Sequence, residues 1–219
     1  VDSKKLQQLY IAYFGRPADP PGIQYWMSKA ESGVKFREIA NHLAVQDEYK
    51  KSIMYGKPLD FQINQLYLNL FSRKADFQGL SYWLASIESG VKKISDLACD
   101  LIWSSLNPSD KNFEQAILDK KTLENKVASA ELFTKQLAST NNGVNLYKPD
   151  SINPWVSGHA LSVGVDFINQ INSDKLFDIQ EVKEFIQSIL ILSKSIIKKP
   201  VIVLEGASLL IPVFAKNTK

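Results

Sequence analysis

Three groups of polar residues in this chain lie close enough together to do chemistry. Two are near-copies of one another, Arg16 with Asp19 and Arg73 with Asp76. A guanidinium three residues ahead of a carboxylate can close an ion pair, or hold the carbonyls of a turn with its fork of donors. Each pair follows an apolar helical run and precedes a glycine and a Tyr-Trp dipeptide. The expected role is therefore structural: each pair locks a helix–turn–helix corner within its own copy. The third group lies in and just beyond Ser139 to Pro154, STNNGVNLYKPDSINP, where Asn141, Asn142, Asn145, Tyr147, Lys148, Asp150, Asn153 and Trp155 crowd together. A sugar is held by an aromatic face against its C–H surface and by amides or carboxylates pairing with adjacent hydroxyls. As a glycan site, this stretch would offer the ring of Tyr147 or Trp155 and the polar groups of Asn145, Asp150 and Asn153. Removing Tyr147 and Asp150 would then leave stability nearly unchanged. The same composition also suits turns, with Trp155 as the first core residue of the following helix.

Catalytic chemistry finds little support. The two histidines, His42 and His159, are far apart, and no nucleophile motif accompanies either. There is no Gly-rich phosphate loop, no Cys/His set at metal spacing and no calcium loop. Asp174 to Asp178 offers two carboxylates, too few for calcium. The expectation is a non-enzymatic protein with no cofactor in this segment. Cys99 is the single cysteine, so no intramolecular disulfide forms, and its place beside Ala98 and Leu101 suits a buried thiol. The net charge of +3 is too small to argue for nucleic acid. Lysines come in pairs, such as Lys50-Lys51 and Lys92-Lys93, which suit helix ends and turns; as an alternative, several could converge on lipopolysaccharide phosphates. No apolar run reaches membrane-spanning length, and Phe185 to Ile197 is interrupted by polar residues.

The elements that position these groups are read from an internal repeat. Leu9 to Val34, LYIAYFGRPADPPGIQYWMSKAESGV, returns as Leu66 to Val91, LYLNLFSRKADFQGLSYWLASIESGV. A constant offset across both stretches marks one supersecondary unit used twice. Leu6, Leu9, Tyr10, Tyr13 and Phe14 predict a first helix, stopped by Gly15-Arg16-Pro17. Asp19 caps a second helix with Pro20 and Pro21 in its first turn, and Trp26 faces the core. Gly33 ends it, and Phe36, Ile39, Ala40 and Leu43 mark a third. The second copy follows suit, with Trp83 in place of Trp26 and one residue inserted near Lys92-Lys93.

The run YFGRPAD, followed by GIQYW and a helix ending in ESG, resembles the domain of unknown function 4214 family. That family occurs in bacterial surface-layer proteins and in large secreted calcium-repeat (RTX) proteins. The resemblance spans roughly residues 6 to 139, and the second copy departs from the pattern at Ser72 and Lys74. It implies a secreted protein at the bacterial cell surface whose helical N-terminal region anchors it to outer-membrane lipopolysaccharide or surface polysaccharide. Further copies of the protein, in an array, would be the other partners, without membrane insertion. The corner also faintly resembles the helical linker domains of cyanobacterial antenna complexes, which would make the chain a protein–protein scaffold instead. Glycan binding should leave an aromatic-lined polar groove on the surface; a scaffold should leave an apolar patch.

The expected architecture is all-α. Residues 1–139 hold the tandem three-helix repeats, copies about 6–53 and 63–106, followed by linking helices, the first of them started by Asn107-Pro108 and holding Phe113, Ala116 and Ile117. Residues 140–154 form a loop. Residues 155–219 form a helical pair, from about Trp155 to Ile171 and from Asp178 to about Ile197, with a short β hairpin or extended tail.

Overall fold

Helix α1 (Ser3–Phe14) is the axis of the molecule. In the computed structural model, which describes residues 1–110, 113–149 and 159–196, every residue from Leu6 to Pro20 is buried. A helix enclosed on all sides must be apolar or must satisfy its polar side chains. Leu6, Leu9, Ile11, Tyr13 and Phe14 are the apolar part. Gln7 is satisfied at both ends of its amide: Nε2 donates to Thr134 Oγ1 at 2.7 Å, and Oε1 accepts from the Ala18 amide at 2.9 Å. Asp2 caps the start of the helix, and Gly15, at φ 63°, ends it in the left-handed conformation glycine adopts without strain.

The first copy continues with α2 (Pro20–Glu31), α3 (Phe36–Leu43) and the short α4 (Asp47–Lys50). The second comprises α5 (Leu59–Phe71), α6 (Phe77–Glu88) and α7 (Ile94–Leu106). Equivalent residues do equivalent work. Asp19 accepts from the Gly22 amide and Asp76 from the Gly79 amide, each at 2.8 Å. Ala75 donates to Asn64 as Ala18 does to Gln7. Trp26 and Trp83 are buried, at 5% and 9% exposure. The glycine ahead of each Tyr-Trp pair has a packing reason. A Cβ on Gly22 would lie 2.3 Å from the Tyr10 hydroxyl, and one on Gly79 would lie 3.1 Å from the Tyr67 hydroxyl. The tyrosine of each first helix thus sits over the glycine of the next.

The copies differ at their corners. Ser72 takes the left-handed place of Gly15, at φ 57°, and its hydroxyl donates to the Ile171 carbonyl at 2.7 Å. A side chain at Gly15 would instead meet Asn69, whose amide donates to the Ala12 carbonyl across the two copies.

Beyond the repeats lie α8 (Glu114–Ala138), α9 (Asn141–Leu146), α10 (Ala160–Asn169) and α11 (Ile179–Ile196). Helix α8 packs on α1, α5 and α11, and buried apolar residues run as one cluster from Leu6 through Phe133 and Phe167 to Ile189. The fold is all-α, with no strand among the described residues. Three expectations need correction. A single helix, α8, replaces the linking helices, and Asn107 closes α7 rather than opening a new helix. Phe113 is the N-cap of α8 and Ile117 lies in its first turn, and both are exposed. The stretch expected to be a loop contains α9, whose Gly143 fits where any side chain would strike Thr140 and Leu137. The capping box at Asp178 and Glu181 is present. The expected β hairpin or extended tail, residues 201–219, lies outside the described residues.

Candidate functional site

The Arg16 corner is the most polar place in the interior. The side chain is fully buried, and Glu48 receives its Nε and Nη2 at 2.6 and 2.8 Å. Nη1 donates to the Pro17 carbonyl at 2.8 Å, and Asp19 lies 3.3 Å from Nη2. The guanidinium lies over the rings of Tyr10, Phe14 and Tyr147 at 5.3, 5.6 and 5.3 Å. Burial alone would lower its pKa; Glu48 and Asp19 outweigh that and hold it well above the ordinary arginine value. Every donor is used, so the group serves the fold.

The second corner is built alike but not closed alike. Asp119 of α8 receives Arg73 Nε and Nη2 at 2.7 and 2.6 Å. Asp76 is 3.8 Å away, and Arg73 keeps a quarter of its side chain exposed. The expectation that this pair acts within its own copy is therefore corrected. Asp76 is occupied as a helix cap, and the strong partner comes from outside the repeat. Neither Glu48 nor Asp119 sits at the repeat offset, so the internal alignment gave no signal for them.

Of the expected glycan residues, the structure describes Asn145 and Tyr147, and it does not bring these two to one surface. Asn145 is exposed on α9, but Tyr147, one helical turn's end further on, points inward and is 0% exposed. Its ring covers Arg16 and packs on Phe133, and its hydroxyl donates to the Pro17 carbonyl at 2.9 Å. Burial pushes that hydroxyl well above the ordinary tyrosine value. A ring sealed on both faces cannot receive a sugar, so Tyr147 is a core residue. Asp150, Asn153 and Trp155 lie outside the described residues.

A surface cleft of about 540 Å³ opens elsewhere, between the two copies. Its floor is Tyr49, held edge-on by Tyr13, whose own hydroxyl donates to the Ser95 carbonyl. Tyr55 forms one wall with 53% of its surface exposed, set T-shaped to Tyr49 at 6.2 Å. Asn41, Gln62, Lys93 and Ser95 supply the polar rim. The turn that carries Tyr55 reverses at Gly56, at φ 70°. Lys92 and Lys93 diverge: Lys92 pairs with Asp100, while Lys93 faces the cleft. Sequence reading missed this site because its residues come from α3, the turn after α4, α5 and the start of α7.

One more buried charge escaped the sequence. Lys126 of α8 is 0% exposed, and its ammonium donates to the carbonyls of Leu68 and Asn69 at the end of α5, at 3.1 and 2.6 Å. Desolvation pushes its pKa down to about 7. Cys99 is buried, as expected, and burial raises its thiol to about 11. His42 lies beside Trp26, and His159 accepts from the Leu161 amide at the start of α10. Among the described residues, no group of three or more His, Cys, Asp or Glu side chains could hold a metal, and no helix is long and apolar enough to cross a membrane.

With this geometry in hand, comparison with known proteins gives one match. Residues 40–108 fit the family model described as Domain of unknown function (DUF4214). The chain carries a domain of that family. The matched segment runs from the second half of α3 through the whole second copy and contains all of the cleft lining. No curated protein and no solved structure matches the chain.

Proposed function

We propose that this chain is a non-enzymatic anchoring module of a surface-layer or RTX-type protein, secreted to the bacterial cell surface, that grips outer-membrane lipopolysaccharide glycan. The observation that carries the reading is the inter-copy cleft. An exposed tyrosine ring, two amides, a hydroxyl and an ammonium line one concavity, the combination that orients a sugar by its C–H face and its hydroxyls. Lys93 adds a positive charge suited to the phosphate or acidic groups of such glycans. The family resemblance supplies the setting. Single sites of this kind bind weakly, so attachment would draw on many copies in an array.

The test is titration of purified lipopolysaccharide and its released polysaccharide into the full chain, followed by calorimetry. Tyr55→Ala should weaken binding about tenfold or more, the loss of one aromatic anchor, with the thermal midpoint unchanged because the ring is half in solvent. Binding that survives Tyr55→Ala, or no binding of either ligand, would remove the cleft from the argument. The scaffold reading has a foothold in Val45, an exposed apolar side chain that lines the same cleft as Tyr55. A protein partner would compete for Tyr55 while leaving the glycan titration flat.

A further inference from the structure

The two corners answer a question about each other. In the first copy, Arg16, Pro17, Ala18, Asp19 and Pro20 are all buried beneath α8 and α9. Their counterparts Lys74, Asp76 and Phe77 are exposed, and Arg73 and Ala75 are half-buried. Part of the difference is a single side chain from beyond the repeats, Tyr147. Arg16 is sandwiched between Tyr10 and Tyr147, at 5.3 Å from each. Arg73 lies over Tyr67 at the same 5.3 Å, and among the described residues no second ring covers it. The carbonyls repeat the pattern. Pro17 accepts two donors, Arg16 Nη1 and the Tyr147 hydroxyl, filling both lone pairs. Lys74 accepts Arg73 Nη1 at 3.0 Å, and among the described residues nothing else donates to it.

From this juxtaposition we propose that the Arg73 corner is a binding site for a tyrosine side chain presented by a protein partner. The phenol ring would stack on the open guanidinium face, and its hydroxyl would donate to the Lys74 carbonyl. The first copy is in effect the occupied form of the second. The chemistry is complementary in both parts: a cation faces a ring's negative π surface, and a carbonyl lone pair faces a hydroxyl. Pairing with Asp119 occupies the Nε–Nη2 edge of the guanidinium and fixes its plane, so the uncovered planar face is presented to solvent. A cleft of about 320 Å³ adjoins it, where Trp103 and Phe113, at 67% and 58% exposure, extend the aromatic surface beyond the guanidinium. A planar, pre-positioned cation suits an aromatic ring, and three of its five N–H donors, Nε–H and one on each Nη, are already taken by Asp119 and the Lys74 carbonyl.

The site is separate from the inter-copy cleft, so its test is independent of glycan binding. The full ¹⁵N-labelled chain is titrated with N-acetyl-tyrosinamide, with N-acetyl-phenylalaninamide and with a methyl hexoside. The readouts are the Arg73 side-chain Nε–H resonance and the Ala75 backbone amide, which belongs to the same peptide group as the Lys74 carbonyl. The tyrosine probe should shift both, and bind about three- to tenfold more tightly than the phenylalanine probe, the range one neutral hydrogen bond gives. Arg73→Lys should abolish the shift at Ala75, since an ammonium offers no planar face. Equal binding of the two amino-acid probes, shifts of the same resonances by the hexoside, or no shift at the solubility limit would overturn the proposal. The comparison among probes on the unaltered chain decides the matter even if Arg73→Lys fails to fold.

Discussion

Lys126 offers the sharpest quantitative prediction. Its ammonium is fully buried and meets two carbonyls rather than a carboxylate, so it is under-compensated as a charge. The folded chain holds it at about 7, against an ordinary value of 10.5. The unfolded chain therefore binds more protons than the folded one between those two pH values. The sign follows: stability rises with pH through that window, and below pH 7 the full cost of the buried charge is present. Integrated over the window, the term is worth about 4–5 kcal/mol as an upper bound. The two carbonyl acceptors at the end of α5 favour the ammonium and shrink it. Lys126→Met removes the charge and leaves the Asn69 carbonyl without this donor, a pH-independent cost of about 1–3 kcal/mol. The measurement is urea unfolding of both proteins from pH 6 to pH 10. All other titrating groups are common to the two chains, including Tyr10, Tyr13 and Tyr147, so they cancel in the difference. Relative to the wild type, the Met variant should lose ground steadily as pH rises, by a total of about 2–5 kcal/mol. A difference that stays flat with pH would refute the reasoning and show that Lys126 remains charged throughout.

Other substitutions probe the repeat directly. Gly22→Ala should destabilise by about 1–3 kcal/mol through the clash with the Tyr10 hydroxyl, and adding Tyr10→Phe should restore most of the loss in thermal melts. Gly79→Ala, with a longer approach to Tyr67, should be close to neutral. Arg16→Ala leaves Glu48 and Asp19 buried without their cation and should cost about 3–5 kcal/mol by chemical denaturation, with Arg73→Ala costing less because its corner is part-exposed. Tyr147→Ala should cost a similar 3–5 kcal/mol, the range for large buried aromatics, whereas Tyr147→Phe should lose only about 1 kcal/mol with the Pro17 hydrogen bond; an unchanged melt for Tyr147→Ala would return that ring to the list of surface groups.

The repeat itself was open to reading because its devices are local. Asp19 capping α2, the left-handed Gly15 and the stop at Gly33 each follow from a few consecutive residues, and the doubling made each visible twice. Helix α9 was not, because Asn141, Asn142 and Gly143 are poor helix formers, and only packing on α8 sets their conformation. Tyr147 was misread for the same reason: a polar-looking neighbourhood described its neighbours in sequence, while its partners, Arg16 and Pro17, are more than a hundred residues away. Glu48, Asp119 and Lys126 share that difficulty. A buried charge is found from its partner, and sequence spacing says nothing about partners brought from another helix. The cleft was hidden in the same way, since no single element contributes more than a few of its residues.

The bond between Gln7 and Thr134 has a consequence for how the molecule comes into being. Gln7 and Thr134 are 127 positions apart, and Thr134 in turn donates to Ala18 from 116 positions away. Helix α1 therefore precedes α8 by more than a hundred positions, yet finds its main packing surface only when α8 has followed it. Closing so long a loop costs entropy before any contact offsets it, which slows folding. A chain cut after Leu106 should leave α1 with an uncovered flank and no stable fold. The helix that ends as the axis of the protein is among the last pieces to be locked, and the two repeats reach their full packing only with α8 in place.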